Sequence, residues 1–345
     1  MGGGVAAAVS DYVSNTPEWD HHITMAERPS ARISLGPESK FASVTPMPKG
    51  HLLRIRQLRR QLAQLGPRAI IHAHSSFGGL YARLAALTAR NPVVYTPHCY
   101  GFERADLKKA ARAAVYAAEW VMARRTTVVA GCSPHEASLA TKLRPAGTAV
   151  FVPNLGPQTA HRTGLSRAER PLAPRLVGAG RTVQQKDPEF FCTAVNALRS
   201  SGVTVDATWI GGGDAKVEAM LRQADVQVTG WLDREEAIAA FANADVYLHS
   251  AAWEGFPIAV LEAAAYGVPT VVRSLDCFQD YDFPFVLSDP REIAEVWPQI
   301  FTEDGVERAH DFMTRLLRRH TPDEQARALR ASYRAVAAAG EVEVL

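Results

Sequence analysis

Short apolar runs alternate with helical patterns along most of the chain, and this alternation constrains the fold more than any other feature. In the first half, such runs lie at 69–75, 92–98, 126–133 and 148–154. In the second half they lie at 175–180, 205–213, 226–232, 245–250 and 269–272. Strands that alternate with helices indicate a parallel sheet covered on both faces. The sequence therefore predicts an α/β protein with two doubly wound, Rossmann-like sheets.

A polar, proline-containing stretch at 156–174 divides the two alternating halves. It predicts a first domain at 1–153, a linker at 154–172, a second domain at 173–305 and helices at 306–345. The formal net charge is +2, but residues 1–150 hold 19 basic and 9 acidic residues. This asymmetry suggests that the first domain meets something anionic. Nucleic acid is not expected, because no basic stretch with interleaved aromatic residues occurs.

Several protein classes are disfavoured by composition. No run of about 18 apolar residues occurs, so no transmembrane span is expected, and the start lacks the features of a secretory signal. The four cysteines form no CxxC pair and suit free thiols in a reducing, cytoplasmic setting. His72 and His74 share one face of a strand, but no further ligand accompanies them. We therefore expect no metal site.

Two glutamates eight positions apart, Glu254 and Glu262, bracket a predicted helix start. Pro257 suits the first helical position of a helix near 257–266, which Gly267 ends. Glu262 then lies about 7–8 Å along the helix axis from Pro257. Free backbone N–H groups between the glutamates favour a phosphate, so the spacing suits a nucleoside diphosphate sugar. The alternative is that both carboxylates are merely solvated.

The segment 244–272 resembles the Glu-x7-Glu signature of family 4 glycosyltransferases, which have the GT-B fold and retain anomeric configuration. Further matches occur at 177–191, at 72–83 followed by 93–103, and at 132–139 with 150–154. They appear in the family's order and cover nearly the whole chain. The resemblance implies two Rossmann-like domains that face each other across a cleft. It also implies that the last helices return to the first domain.

The resemblance implies a role for each matched residue. Arg181 and Lys186 would bind the diphosphate, and His98 would lie near the transferred sugar. Glu254 would meet the sugar and Glu262 the ribose. The remaining donor contacts would come from the glycine-rich start and the helix opening, at Gly3, Gly4, Gly255, Phe256, Pro257 and Ile258. The donor would be a UDP- or GDP-sugar, with neither metal nor cofactor. Val183 also replaces the third glycine of a dinucleotide fingerprint, so a nicotinamide cofactor is not expected.

Two departures from the family pattern stand out. The family has a buried strand before its glycine loop, whereas this chain begins at that loop, so the first strand of the first domain is apparently missing. Either the start codon lies upstream or the chain lacks a central strand, and the second case would expose sheet edges. The segment 273–281 also lacks the glycines that the family commonly has near the donor.

The stretch 51–66 places Ile55, Leu58, Leu62 and Leu65 at helical spacing, with Arg56, Arg59 and Arg60 elsewhere on the surface. It predicts an amphipathic helix with either a solvated basic face or a contact to anionic lipid. The second possibility would suit a lipid-linked acceptor at the inner face of the cell membrane.

The predicted function is transfer of a sugar from a nucleotide sugar to a hydroxyl group of a saccharide or lipid-linked acceptor. Synthesis of a cell-surface polysaccharide or glycolipid is the expected setting. The alternatives are a nucleotide-sugar epimerase on the same fold and a non-catalytic homologue that only binds the nucleotide sugar.

Overall fold

A computed structural model describes residues 4–26, 40–157 and 173–339. The chain divides into two compact units. The N-terminal unit comprises Gly2–Asn154 together with Thr321–Leu345, and the C-terminal unit comprises Leu155–His320. Residues 306–320 thus belong to the C-terminal unit, and the chain passes back to the N-terminal unit at Thr321.

The N-terminal unit contains six strands and six α-helices within its described residues. Its strands are β1 (His22–Met25), β2 (Ser43–Pro46), β3 (Ile71–His74), β4 (Val93–Thr96), β5 (Val128–Gly131) and β6 (Thr148–Phe151). Its helices are α1 (Gly4–Ser14), α2 (His51–Leu65), α3 (Ser75–Ala89), α4 (Lys109–Ala123), α5 (Pro134–Leu143) and α12 (Pro322–Ala339). All four strands predicted from apolar runs are present, and β4 and β5 are buried throughout.

The sheet of this unit is in two pieces. Strands β3-β4-β5-β6 form one parallel sheet, and β1 and β2 pair with each other in a second. The apolar runs did not predict β1 and β2, because both are four-residue strands without a buried residue. The glycine-rich start, expected to be a loop, is helical from Gly4 onward. In the described residues no strand joins the two sheets.

Two cores cover the four-stranded sheet. Helices α1 and α12 pack through Ala8, Tyr12, Leu329 and Val336 against buried valines of β4 and β5 and Ala130 of β5. A second cluster is formed by Tyr95, Tyr100, Ala82, Ala123 and Leu143, which come from β4, from the loop after it and from the helices α3 to α5. The sheet is therefore covered on both faces, as the long apolar runs predict.

The described residues of the C-terminal unit form a six-stranded parallel sheet with six α-helices. Its strands are β7 (Arg175–Ala179), β8 (Asp206–Ile210), β9 (Gln227–Val228), β10 (Val246–His249), β11 (Thr270–Arg273) and β12 (Val286–Leu287). Its helices are α6 (Pro188–Ser200), α7 (Ala215–Gln223), α8 (Arg234–Ala242), α9 (Ile258–Ala265), α10 (Ile293–Ile300) and α11 (Glu303–Arg319). The predicted strands are all present, although β9 is only two residues long.

The strand order β12-β11-β10-β7-β8-β9 contains one reversal. From β7 the chain moves outward to β9, and from β10 it moves outward in the opposite direction. Neighbouring strands β7 and β10 therefore send their following loops apart, and this switch point is where open parallel sheets bind ligands. The loops at 180–187 and 250–257 flank it.

No helix among the described residues combines the length and the apolar character needed to cross a bilayer.

Candidate functional site

The loops that flank the switch point are tied together by hydrogen bonds. The Ala252 N–H donates to the Gln185 carbonyl at 2.8 Å. The Gln185 side-chain amide donates to the Trp253 carbonyl at 3.2 Å, and the Ser250 hydroxyl donates to the Lys186 carbonyl at 2.7 Å. These bonds run in both directions between the loops and fix the position of Lys186 relative to Glu254.

Lys186 and Glu254 form an ion pair at this junction. Their side chains are only 20% and 11% exposed, so the pair is shielded from much of the solvent. The stem of Lys186 lies against Gly180, where an added Cβ would come within 2.9 Å of the lysine Cγ. Gly180 has φ +138°, which side-chain-bearing residues rarely adopt. Both properties explain a glycine directly after β7.

Arg181 follows Gly180 on the same loop and is exposed. Its side chain makes no hydrogen bond or ion pair with another described residue. Its neighbour Thr182 is fully buried and accepts the Asp214 N–H at 2.7 Å. The loop is thus anchored beside Arg181, whose side chain is exposed.

Glu254 and Glu262 both act on Tyr247 in β10. Burial and then the charges of these two carboxylates raise the pKa of Tyr247 well above its usual value. The Tyr247 hydroxyl lies 2.9 Å from Nδ1 of His249, whose pKa is lowered by burial and by Lys186. Both glutamates therefore lie close enough to Tyr247 in β10 for their charges to act on its hydroxyl.

Helix α9 begins at Ile258, one residue later than predicted. Pro257 has extended backbone and occupies the N-cap position, where no side chain accepts a hydrogen bond from the first turn. Gly255, Phe256 and Pro257 are buried beneath this opening. Gly267 has φ +67°, which confirms the predicted left-handed residue after the helix. The N–H groups of the first turn are left without a side-chain cap, as phosphate binding requires.

Arg273 takes part in the site although the sequence analysis marked its segment only as a departure from the family. Its Nη1 atom donates to Asp187 at 2.6 Å, and its guanidinium group lies 4.6 Å from the Phe190 ring centroid. Asp187 caps α6 and has φ +46°. Arg273 thereby braces the end of the loop that carries Arg181 and Lys186. The lack of the family's glycines in 273–281 was the sequence signal in this segment, and it did not identify Arg273 or its role.

A stack of histidines lies at the carboxyl ends of β3 and β4 in the N-terminal unit. The rings of His72 and His74 stack with centroids 4.3 Å apart, and Nδ1 of His74 lies 3.1 Å from Nε2 of His98. His72 is held between the Tyr333 hydroxyl at 3.0 Å and the Thr96 hydroxyl at 2.9 Å. Burial lowers the pKa of His72 to about 3 and that of His98 to about 4. These imidazoles are therefore neutral at physiological pH.

The backbone next to this stack is strained. Ser75, His98 and Cys99 have φ values of +61°, +53° and +85°. Residues other than glycine are costly in this region and persist only where the surroundings hold them. Two successive residues of this kind, at 98–99, aim the His98 ring at His74. Such strain concentrates at functional sites.

Two family profiles match the chain. One described as "Glycosyl transferases group 1" matches residues 173–297, and one described as "Glycosyl transferase 4-like domain" matches residues 3–155. The chain belongs to the group 1 glycosyltransferases. The predicted family and the predicted class of activity are thereby confirmed.

Relatives of this group 1 glycosyltransferase occur in two enteric bacteria. An uncharacterized 41.2 kDa protein of the cps region of Klebsiella pneumoniae is 26% identical over 83% of this chain and 81% of that protein. A UDP-Gal:alpha-D-GlcNAc-diphosphoundecaprenol alpha-1,3-galactosyltransferase of Escherichia coli is 27% identical over 60% of this chain and 58% of that protein.

Solved glycosyltransferase structures confirm the GT-B fold. HepE from Anabaena, solved with UDP and glucose, has a TM-score of 0.74 at 13% identity, with 96% of each chain covered. The lipopolysaccharide outer core galactosyltransferase WaaB, in its apo form, has a TM-score of 0.66 at 17% identity. That alignment covers 96% of this chain and 95% of WaaB.

The predicted site residues of the glycosyltransferase fall into three groups. Lys186 and Glu254 are in contact, and Arg181, Glu262 and the start of α9 lie on the same two loops or the helix that follows. His98 lies in the N-terminal unit, within a stack that also contains His72 and His74. Gly4 opens α1, and Gly3 lies outside the described residues.

Proposed function

We propose that this glycosyltransferase moves a sugar from a nucleoside diphosphate sugar to a hydroxyl group of a lipid-linked saccharide, with retention at the anomeric carbon. The single observation that carries the donor assignment is the Lys186–Glu254 pair beside the uncapped start of α9. This arrangement sits at the switch point of a parallel sheet, where a diphosphate is held by helix N–H groups and fixed cations.

The chemistry calls for a site of this kind. Breaking the bond between the sugar and the phosphate leaves negative charge on the departing nucleoside diphosphate. Fixed cations and backbone N–H groups stabilise that charge best where they need not reorganise. Lys186 supplies a compact charge and Arg181 a planar fork for phosphate oxygens. Glu254 orients Lys186 before the donor binds and has a second oxygen available for a sugar hydroxyl.

Metal independence is part of the proposal. Arg181, Lys186 and the first turn of α9 offer the positive potential that a divalent cation would otherwise provide. We expect that turnover in EDTA equals turnover with added Mg²⁺ or Mn²⁺. A loss of turnover in EDTA that Mn²⁺ restores would contradict this part.

The donor base and the acceptor class are proposed from the relatives. The Escherichia coli relative is named for a UDP-galactose donor and a diphosphoundecaprenol-linked acceptor, and HepE was solved with UDP. We therefore propose a UDP-sugar donor and a polyprenyl diphosphate acceptor at the inner face of the cell membrane. Polysaccharide or glycolipid synthesis is the setting that these partners imply.

Incubation of the purified protein with UDP-glucose, UDP-galactose and GDP-mannose tests the proposal. We expect release of the nucleoside diphosphate from one UDP-sugar, accelerated by a lipid-linked saccharide, and a product whose NMR coupling shows the donor's anomeric configuration. Conversion of the donor to a different sugar without release would indicate an epimerase. Tight binding without turnover would indicate a non-catalytic homologue.

The site assignment is tested separately. Arg181→Ala combined with Lys186→Ala is expected to lower turnover at least about a hundredfold, since each removed transition-state contact costs about 3 kcal/mol. Lys216→Ala, an exposed lysine in the first turn of α7, is the matched control and leaves turnover unchanged. Full activity in the double variant would refute the site.

A further inference from the structure

Helix α4 has an apolar face that is largely open to solvent, with Phe102 packed edge-on against Tyr116 at its margin. Tyr116, Trp120 and Val121 are 40%, 45% and 50% exposed, and Ala113 and Ala117 beside them are also exposed. These five residues, spaced by three and four positions, form one stripe on the helix, here called the α4 stripe. The inner face of α4 is a different one, which buries Glu119 and Ala123.

The charge around the α4 stripe is of one sign. Basic side chains stand at both ends of the helix, at Lys108, Lys109, Arg112, Arg124 and Arg125, and all are exposed or partly exposed. The acidic residue within this span is Glu119, and it points inward. It forms a bidentate pair with Arg83, at 2.8 and 3.1 Å, in which both residues are buried. No carboxylate within 107–125 therefore offsets the cations on the outer face.

Aromatic residues at an apolar surface rimmed by cations suit one environment in particular. Tryptophan and tyrosine favour the membrane–water interface, and lysine and arginine near it are attracted to anionic headgroups. The Arg124 guanidinium group lies 3.9 Å from the Trp120 ring centroid, so the cation and the indole form one patch. A protein partner of complementary shape would need acidic residues around an apolar groove, whereas a bilayer surface presents both features everywhere.

We propose that the α4 stripe seats the N-terminal unit on a bilayer that contains anionic lipid. The helix lies parallel to the membrane plane, with Trp120 and Val121 at the level of the headgroups and acyl chains and the cations on the phosphates. The biological purpose, access to a lipid-linked acceptor, rests on the proposed function. The docking itself requires neither donor nor acceptor.

Helix α2, whose basic residues the sequence analysis singled out, is less suited to this role. It presents Leu52 and Leu53 to solvent but contains no aromatic residue. Its Arg54 donates to the Pro48 carbonyl at 2.9 Å, and its Arg59 donates to the Leu84 carbonyl at 3.1 Å. Two of its arginines are thus engaged with other segments of the protein. Among the five cations around the α4 stripe, only Arg112 is so engaged in the described residues, donating to the Phe102 carbonyl at 2.7 Å.

Co-sedimentation with vesicles tests the proposal on the full chain without nucleotide. The vesicles consist either of phosphatidylcholine alone or of phosphatidylcholine mixed with phosphatidylglycerol. The wild-type protein is expected to bind the mixed vesicles, and Trp120→Ala with Val121→Ala lowers that binding about tenfold or more through lost apolar burial. Trp231→Ala is the matched control, because Trp231 is 49% exposed in the C-terminal unit. It leaves binding unchanged.

Charge is tested by Arg124→Ala with Arg125→Ala. Removal of two cations near an anionic surface is expected to weaken vesicle binding about thirtyfold at low salt. The remaining binding should also depend less on salt concentration. Circular dichroism and hydrolysis of the donor without acceptor show that each variant folds. Wild-type vesicle binding by the Trp120 and Val121 variant would overturn the proposal. So would vesicle-independent self-association that this variant abolishes, because the stripe would then bind a second copy of the chain.

Failure of the docking and failure of the proposed function are separate results. Absent vesicle binding together with normal sugar transfer to a soluble acceptor would reject only the α4 proposal. Normal vesicle binding without sugar transfer to any acceptor would reject only the proposed reaction.

Discussion

The Glu136 carboxylate accepts the backbone N–H of Cys99 at 2.6 Å through one oxygen and that of Cys132 at 2.7 Å through the other. Glu136 lies in the first turn of α5, whose N-cap, Ser133, accepts the Glu136 N–H at 3.1 Å. One buried carboxylate therefore joins the ends of β4 and β5. It also holds the left-handed residue that follows His98. The family matches at 93–103 and 132–139 contain Cys99 and Glu136 but did not predict their contact.

Glu136→Gln is expected to disturb the His98 loop, because an amide must turn one N–H donor toward a backbone N–H. We expect a loss of about 1–3 kcal/mol in the free energy of unfolding and about a tenfold lower kcat, with the donor KM little changed. Glu307→Gln, an exposed glutamate in α11, is the control. Wild-type kcat in Glu136→Gln would show that the loop does not depend on the carboxylate.

The same carboxylate predicts a pH dependence. Burial raises the pKa of Glu136 to about 7, and the groups that act on it are Cys99, Cys132, Glu103, Tyr12, Tyr95 and Tyr100. Above pH 7 it is ionised and accepts both N–H bonds, whereas protonation at lower pH weakens one of them. We expect kcat to fall as the pH drops through about 7, and this limb to be absent in Glu136→Gln. An unchanged profile would argue against the assignment. Titration of His98, with a pKa of about 4, would appear at much lower pH.

Lys186 and Glu254 are expected to act as a unit in turnover. Lys186→Ala removes a phosphate cation and leaves Glu254 partly buried without its counter-charge. We expect kcat/KM to fall by about a hundredfold. Glu254→Ala introduced into the Lys186→Ala variant should lower kcat/KM much less than it does in the wild type. Steady-state kinetics of the two single variants and the double variant give the coupling. Strictly additive losses would mean that the ion pair is incidental to catalysis.

Alanine substitutions at two glycines with positive φ distinguish the effect of backbone strain from the effect of donor-site geometry. Gly180 has φ +138° and lies against the Lys186 stem, whereas Gly202 has φ +85° and open space around it. Alanine at either position is expected to lower the free energy of unfolding by about 1 kcal/mol or more. Only Gly180→Ala should also weaken donor binding, because the new Cβ displaces Lys186. Calorimetric titration with the nucleoside diphosphate measures this difference. Equal affinity in both variants would contradict it.

The histidine stack predicts that acid destabilises the N-terminal unit. An unfolded histidine has a pKa near 6.5, whereas His72 and His98 have pKa values of about 3 and about 4 when folded. The unfolded state thus binds more protons below pH 6.5, so stability present above that pH is lost as the pH falls toward 3–4. Between about pH 4.5 and 7, the raised pKa of Glu136 has the opposite effect and increases the free energy of unfolding as the pH falls. Glu136 is a single group, however, and the histidines outnumber it.

Urea unfolding at pH 7.5 and at pH 5 measures this effect. We expect a lower midpoint at pH 5, and a smaller difference between the two in His72→Asn, which keeps a polar side chain between Tyr333 and Thr96. His310→Asn, at an exposed position of α11, should leave the difference as in the wild type. A midpoint that does not change with pH in the wild type would contradict the prediction.

The local sequence was sufficient for much of the fold. Apolar runs identified β3 to β6 and the strands of the C-terminal unit except β12, because a strand buried on both faces needs an unbroken apolar run. They missed β1 and β2, which are short and contain no buried residue. The start of α9 was misplaced by one residue, since proline suits both the N-cap and the first helical position. The helical start at Gly4 was missed because its glycines read as a loop.

By itself, the sequence determined which residues could carry the chemistry. They are two glutamates on either side of a helix start, two basic residues after one strand, and a histidine after another strand. Only the tertiary structure decided their partners. Strand order brings the loops of Lys186 and Glu254 together, Arg273 reaches Asp187 across 86 positions, and Glu136 reaches Cys99 across 37. The physical reason is that spacing fixes geometry within one helix or strand, whereas contacts between loops depend on which strands become neighbours.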